Sequence, residues 1–460
     1  MSEPELKEFC GVIAIYLRSG AAAPLAHRGL FALQHRGQEA AGLVTVDEHD
    51  AVHQLRARGL VTEALPLPRL RDLPGRRAIG HVRYSTVAAD RAENIQPFLA
   101  ATPYGPMAIA HNGNLKNAPE LTEELVREGA VLTTTMDTEL MVHLVARSQA
   151  RTLEEALQAT ARRVIGSYSL TFLCNGRVYG LRDPHGLRPL VLGELPGLGW
   201  ILASETCALE ALGATYLREL NRGELVEICP DGVRSQQLLA PAPVASPCVF
   251  ELVYFARPDS TVFGQNAHAS RSRMGEELAR QDVRLDGQRA QVDLVVPVPD
   301  SGTAAAIGYA RESGLPYDMA ILRSHYFGRT FILPGKDERA HAVRLKLSVN
   351  RDAVRGKRVL LVDDSLVRGN TARQIVQMVR EAGASWVALR VASPPLRWPC
   401  YLGIDTPDHD ELVVNRLGSV ESVATYIGVD ELRYLDEAGL RRATLEGSFC
   451  MACMNGNYPV

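Results

Sequence analysis

Short apolar runs bounded by Gly, Pro or Asp punctuate the first half of the chain, at residues 11–16, 78–84, 107–111, 168–173, 178–181, 189–193 and 225–228. Runs of this kind read as buried strands, and the stretches around 119–128 and 138–146 read as helices between them. The pattern predicts an α/β domain with packed sheets. At APAPVASP the composition turns Pro- and Ala-rich, as suits a connector, which divides the chain into residues 10–240 and 241–460. Beyond it, VDLVVPVPDSGTAAAIGYA and RVLLVDDSLVRGNTARQIVQMVREAGA each read as a buried strand, a polar loop and a helix. That repeated order predicts a parallel sheet.

Composition narrows the function classes. With 460 residues, two domains are expected; 46% hydrophobic and 22% charged residues describe a soluble globular chain. The net charge of -3 offers no broad field for nucleic acid, so any phosphate binding must be local. No apolar run approaches the roughly 18 residues of a membrane span, and MSEPELKEF has no signal-peptide core. The expected location is therefore cytoplasmic, where the eight cysteines are catalytic, metal-binding or buried rather than disulfide-bonded.

In VLLVDDSLVRGNTA, adjacent carboxylates Asp363 and Asp364 end a strand and a loop opens directly into a helix. Ligands of open α/β sheets bind at such places. Free N–H groups at the helix start, Gly369 for close approach, and the hydroxyls of Ser365 and Thr371 make a phosphate cradle, while the two acids suit sugar hydroxyls or Mg²⁺. A turn with a helix cap is the plainer alternative. The segment resembles the signature loop of type I phosphoribosyltransferases, with Asn370 standing where Thr is usual. That resemblance implies phosphoribosyl pyrophosphate binding by Asp363, Asp364, Ser365, Arg368, Gly369 and Thr371. Pro299-Asp300-Ser301-Gly302 resembles the family's pyrophosphate loop, which adds Asp300 and Ser301 and implies Mg²⁺ on Ser301, Asp363 and Asp364. Arg323-Ser324-His325-Tyr326 with GRTFILP resembles the loop that closes over substrate, although Arg323 and His325 depart from its usual Lys-Asn-Arg-Tyr. Lys346 matches a basic residue that meets the substrate's phosphates, or is simply a surface lysine.

Cys10 stands at the start of the first strand, and CGVIAIY, LQHRGQEAAGL, IGHVRYST, AHNGNLKNA, TTTMDTE, LRDPHGLRPL and ASETCALEALGA follow in order. These segments resemble class II glutamine amidotransferases of the N-terminal-nucleophile type. The resemblance implies that residues 1–9 are a propeptide whose removal frees the α-amine of Cys10. An α-amine, with a usual pKa near ~7.7–8.0, can take a thiol proton at neutral pH. It also implies Asn112 and Gly113 as oxyanion donors, Arg83 and Asp137 as grips on glutamine's α-carboxylate and α-ammonium, and Arg36 as an aid to the nucleophile. Read without the family, Asn112-Gly113 is a hairpin turn, Asp137 a helix cap and Arg83 a surface residue. His35, His81, His111 and His185 read as structural.

Together the halves resemble the amidophosphoribosyltransferase family, a glutamine-dependent glycosyltransferase of purine biosynthesis that yields 5-phosphoribosylamine. A regulatory protein that senses phosphoribosyl pyrophosphate is the alternative of another class. The resemblance further implies a homotetramer inhibited by purine nucleotides. Cys248, Cys400, Cys450 and Cys453 match the ligands of a 4Fe-4S cluster in the iron-sulfur branch of the family. Zinc or unligated thiols are the alternatives for this set.

Overall fold

The protein is described from a computed structural model covering residues 10–84, 91–324 and 346–460. The expected propeptide, His325 and GRTFILP lie outside the described residues. In the first half, two antiparallel sheets of seven and six strands lie face to face. The period-2 alternation of a strand explains why this is stable. Along Gly11–Leu17, Val12, Ala14 and Tyr16 face the second sheet and pack near Ala108, Ala110, Leu173 and Val226. The intervening Ile13, Ile15 and Leu17 face the other way, against the helix Ala23–Ala32 and the short helix Thr206–Glu210. The outer face of the six-stranded sheet is covered by helices Ala118–Arg127, Asp137–Ala146 and Leu153–Ala161. Strands with both faces covered are near-continuously apolar, which is why the sequence displayed them as unbroken runs.

One expected strand, 189–193, is displaced to Val191–Leu195. Pro189 lacks an N–H and cannot donate to a ladder, so pairing starts beyond it.

In the second half, Leu294–Pro297, Arg358–Asp363, Trp386–Val391 and Glu431–Tyr434 form a parallel sheet in that order. Val295, Leu360 and Val362 pack toward helices Ala267–Asp286 and Thr303–Ser313. Val296, Val359 and Leu361 pack toward Asn370–Glu381 and Val420–Ile427. The expected strand-loop-helix order is present twice, and both loops emerge at the carboxyl edge of the sheet. A single π-helical turn, Glu251–Phe255, follows the connector and is buried between the halves.

Candidate active sites

The first site lies where the two antiparallel sheets meet. Gly11 pairs with Val82, so Cys10 lies beside Arg83 at the same end of the seven-stranded sheet. Cys10 is half-buried, with Sγ 4.0 Å from the Tyr84 carbonyl. Arg83 is buried and its Nη1 reaches the Arg91 carbonyl at 3.5 Å. Arg36 Nε donates to the Cys10 carbonyl at 3.4 Å. Its other nitrogens meet Glu205 and Glu251. Burial alone lowers the Arg36 pKa, but these carboxylates outweigh it and hold the guanidinium above its usual value.

Asn112 and Gly113 are not a hairpin turn. They lie within the long strand Gly105–Leu115, paired with Ser169 and Tyr168. Gly113 has φ +154, and a Cβ there would come within 2.1 Å of the Ser167 carbonyl oxygen, so only glycine fits. Asn112 is 2% exposed and its Nδ2 is buried with no hydrogen-bond partner among the described residues. Buried donors are ordinarily paired, so this one is open to a partner from outside the described fold.

Asp137 opens the helix Asp137–Ala146, but Met136 is the cap residue and makes no side-chain cap. Instead Asp137 accepts from the Leu115 amide at 2.9 Å and lies 3.2 Å from His111 Nδ1. Burial raises its pKa, and His111 more than offsets that, leaving the carboxyl below its ordinary value. His111 shows the converse: burial lowers its pKa, and Asp137 carries it above the usual value. His81 Nε2 lies 3.2 Å from the His111 carbonyl oxygen; burial and Arg83 hold its pKa at about 3, so it is neutral. Among the described residues one ring nitrogen each of His35, His81 and His185 has no partner, whereas both nitrogens of His111 are engaged.

The second site is the carboxyl edge of the parallel sheet. Val298 donates to the Val362 carbonyl at 2.9 Å, which sets the Asp300-Ser301 loop beside Asp363 and Asp364. Asp364 is buried and accepts from Ser365 Oγ at 2.6 Å, and its amide is 2.9 Å from an Asp363 oxygen. Gly369 has φ +77, a left-handed conformation that side chains rarely adopt, and leads into the helix bearing Thr371. Asn370 accepts from the Tyr426 hydroxyl, so the departure at this position gains a partner within the fold. Lys346 is exposed, and its carbonyl receives the Ser324 amide at 2.8 Å at the end of the pair Ile321–Arg323 and Leu347–Val349. Asp300 is engaged by Arg323 at 2.7 Å and Arg368 by Glu411. The Asp300-Ser301 loop and the loop from Asp363 to Thr371 therefore meet at the carboxyl edge of the sheet.

The four expected cluster cysteines come together from three segments. Cys248 and Cys450 form a parallel β-bridge, and the amides of Arg397 and Trp398 bond the Cys453 carbonyl at 2.9 and 3.0 Å, close in sequence to Cys400. Burial raises the thiol pKa of Cys248, Cys450 (to about 11) and Cys453, and neighbouring cysteines of the set add to each shift. Among the described residues, no three His, Cys, Asp or Glu side chains converge in a way that could hold a metal ion. Cys174, Cys207 and Cys229 are buried free thiols.

A family description, "Glutamine amidotransferase domain", matches residues 81–211. Amidophosphoribosyltransferase 2, chloroplastic, of Arabidopsis thaliana is 44% identical over 456 residues, spanning 99% of this chain and 80% of the relative. The chain belongs to the amidophosphoribosyltransferase family. The Rhizobium etli amidophosphoribosyltransferase is 47% identical over 95% of the chain and 88% of its own length. The solved glutamine phosphoribosylpyrophosphate amidotransferase of B. subtilis, complexed with ADP and GMP, superimposes with a TM-score of 0.90 at 40% identity, covering 98% of this chain and 97% of that one. The fold is thus an N-terminal-nucleophile glutaminase joined to a type I phosphoribosyltransferase.

Sequence reasoning did not single out Glu205, Glu251 or Arg188, which surround Arg36. A signal was present: each is a charged residue in a largely apolar stretch, and buried charges demand partners. Their partners lie far away in sequence, so the pairing itself was invisible.

Proposed function

We propose that Cys10 is the nucleophile of a glutaminase, residues 10–240, that feeds ammonia to a phosphoribosyltransferase site in residues 241–460. The reaction is the glutamine-dependent amination of phosphoribosyl pyrophosphate in purine biosynthesis: glutamine, phosphoribosyl pyrophosphate and water give 5-phosphoribosylamine, glutamate and pyrophosphate. What carries this reading is the full-length likeness to amidophosphoribosyltransferases, both halves together. A sensor of phosphoribosyl pyrophosphate is not favoured, because the likeness includes the glutaminase half.

The Cys10 sulfur attacks the side-chain amide carbon of glutamine while its proton passes to the α-amine exposed by removal of residues 1–9. Electron pairs of the amide collect on oxygen, where Asn112 Nδ2 and the Gly113 amide donate; the unpartnered Nδ2 supports this role. Collapse expels ammonia with a proton returned from the amine, and water then releases glutamate from the thioester. Arg83 and Asp137 hold the two ends of the amino acid, and Arg36 steadies the Cys10 backbone.

In the second site the ammonia lone pair attacks the ribose C1 as pyrophosphate departs with the bonding pair. Asp300, Ser301, Lys346, Arg368, Gly369 and Thr371 bind phosphates, and Asp363, Asp364 and Ser365 hold the ribose and phosphate. Ser301 and the two adjacent aspartates have the oxygen-only donor set that Mg²⁺ prefers, and bound there it would neutralise charge on the pyrophosphate.

The four cysteines fit a 4Fe-4S cluster. The gathering of the set from three separate segments supports this reading, with Cys248 bridged to Cys450 and the Cys453 carbonyl bonded by the segment that leads to Cys400. Zinc on the same four thiols is the alternative, and metal analysis of the purified protein separates the two. The cluster would serve as a structural pin. A cytoplasmic homotetramer inhibited by purine nucleotides completes the reading; the B. subtilis relative was solved with ADP and GMP.

The test is Asp363→Ala and Asp364→Ala. Each abolishes phosphoribosylamine formation with glutamine or with ammonia while basal glutamate release persists. Near-normal ammonia-dependent turnover in either variant overturns that residue's assignment.

A further inference from the structure

The glutaminase half does not complete its own nucleophile environment. Glu251, with no exposed surface, comes from the π-helical turn beyond the connector. Its carboxylate accepts from Arg36 at 2.7 and 3.0 Å and from Arg188 Nη1 at 3.4 Å. Arg36 in turn donates to the carbonyl of Cys10. Arg36 also donates to Glu205, which in turn meets His35 at 2.8 Å and Ser260 Oγ at 2.6 Å. Two arginines and two glutamates thus form a buried, charge-balanced net in which Glu251 links Arg36 to Arg188.

The second arm of that net reaches the oxyanion strand. Arg188 Nη2 donates to the Leu402 carbonyl at 2.9 Å, and Ser167 Oγ donates to the same oxygen at 2.8 Å. Ser167 Oγ receives the Asn114 amide at 3.2 Å, next to Gly113, and Asn114 Nδ2 donates to the Tyr401 carbonyl at 3.0 Å. Second-half atoms therefore back both the nucleophile and the oxyanion donors.

We infer that Glu251 is a positioning residue of the glutaminase: it fixes the Arg36 guanidinium against the Cys10 backbone and ties that arginine to Arg188 and the oxyanion strand. The inference rests on the reading of Cys10 as nucleophile. Glu251 works through Arg36. It acts by fixing where the attacking thiol sits relative to Asn112 and Gly113, and misplacement of about 1 Å costs on the order of 100-fold in rate. Binding of glutamine through Arg83 and Asp137 is a separate matter, so the effect falls on kcat and spares KM.

The experiment uses full-length enzyme carrying Glu251→Gln, Glu251→Asp or Cys10→Ala. With Glu251→Gln, kcat for glutamate release falls roughly 10- to 100-fold. The KM for glutamine stays within about threefold, and ammonia-dependent phosphoribosylamine synthesis within about twofold, as expected when only positioning in the transition state is lost. Glu251→Asp, which keeps the charge one methylene short, recovers part of the kcat; it is also the deciding variant if Glu251→Gln does not accumulate as folded protein. An unchanged glutaminase kcat in either variant overturns the inference, as does parallel loss of glutamine- and ammonia-dependent rates, the mark of a general packing role. If Cys10→Ala retains glutamine-dependent synthesis, the underlying reading fails instead, and the two failures are thereby distinct.

Discussion

Asn112→Ala isolates the oxyanion donor. The substitution removes a side-chain NH2 group that is unpaired among the described residues in a buried position. Loss of a single oxyanion-hole donor costs about 2.7–4 kcal/mol in the transition state, or roughly 10²- to 10³-fold in kcat. Its effect on the fold should be small. Relief of an unpaired buried polar group returns about 1–3 kcal/mol, and truncating a buried side chain costs about 0.5–3 kcal/mol, so the two nearly cancel. The assay is glutamate release under saturating glutamine and phosphoribosyl pyrophosphate, with ammonia-dependent synthesis and the thermal midpoint measured on the same preparation. The expected outcome is a kcat loss of about 10² or more, a midpoint within a few degrees of the parent, and an intact ammonia reaction. A kcat loss under about threefold, or a fall in kcat matched by the ammonia reaction, refutes the assignment of Asn112 as a donor to the oxyanion.

Three further outcomes follow from the same structure. The His111–Asp137 pair stabilises the fold in a bounded pH window. Asp137, whose carboxyl is held below its usual 3.8, contributes above that value and loses its contribution as pH falls through the lowered pKa; His111, held above its usual 6.5, contributes below 6.5 and loses it as pH rises through the raised pKa. The thermal-midpoint difference between parent and His111→Asn is therefore largest near pH 5–6 and shrinks in alkaline buffer; a pH-independent difference contradicts the ion pair. Cys453→Ser lowers iron content and the thermal midpoint of anaerobically purified protein, which in the parent holds about four irons and four sulfides per chain; colourless, fully active parent protein with stoichiometric zinc or no metal rules the cluster out. Mass measurement of active enzyme finds a chain beginning at Cys10, and full activity in protein retaining Met1 to Phe9 rules out the α-amine as base.

Much of the fold was legible because its central strands are covered on both faces, so they read as apolar runs. The edge strands Val52–Arg58 and Gly232–Gln237 are covered on one face at most, alternate or expose their side chains, and carry no such run. The strand, loop and helix that carry Asp363 to Thr371 are contiguous, so their order was legible locally. Asn112-Gly113 shows the limit of local reading: its dipeptide favours a hairpin turn, yet pairing with Ser169 and Tyr168 draws it into a long strand where Gly113 must avoid the Ser167 carbonyl. Glu251 shows a second limit. Its partner Arg36 is 215 positions away, and nothing in either neighbourhood names the other.

The central claim, glutamine hydrolysis at Cys10 coupled to amination in the other half, is tested most directly by assaying parent and Cys10→Ala enzyme with each nitrogen donor. The parent should release glutamate and pyrophosphate in equal amounts from glutamine and phosphoribosyl pyrophosphate, and Cys10→Ala should lose that reaction while keeping ammonia-dependent synthesis. Retained glutamine-dependent synthesis in Cys10→Ala, or equal loss of both reactions, would contradict the account.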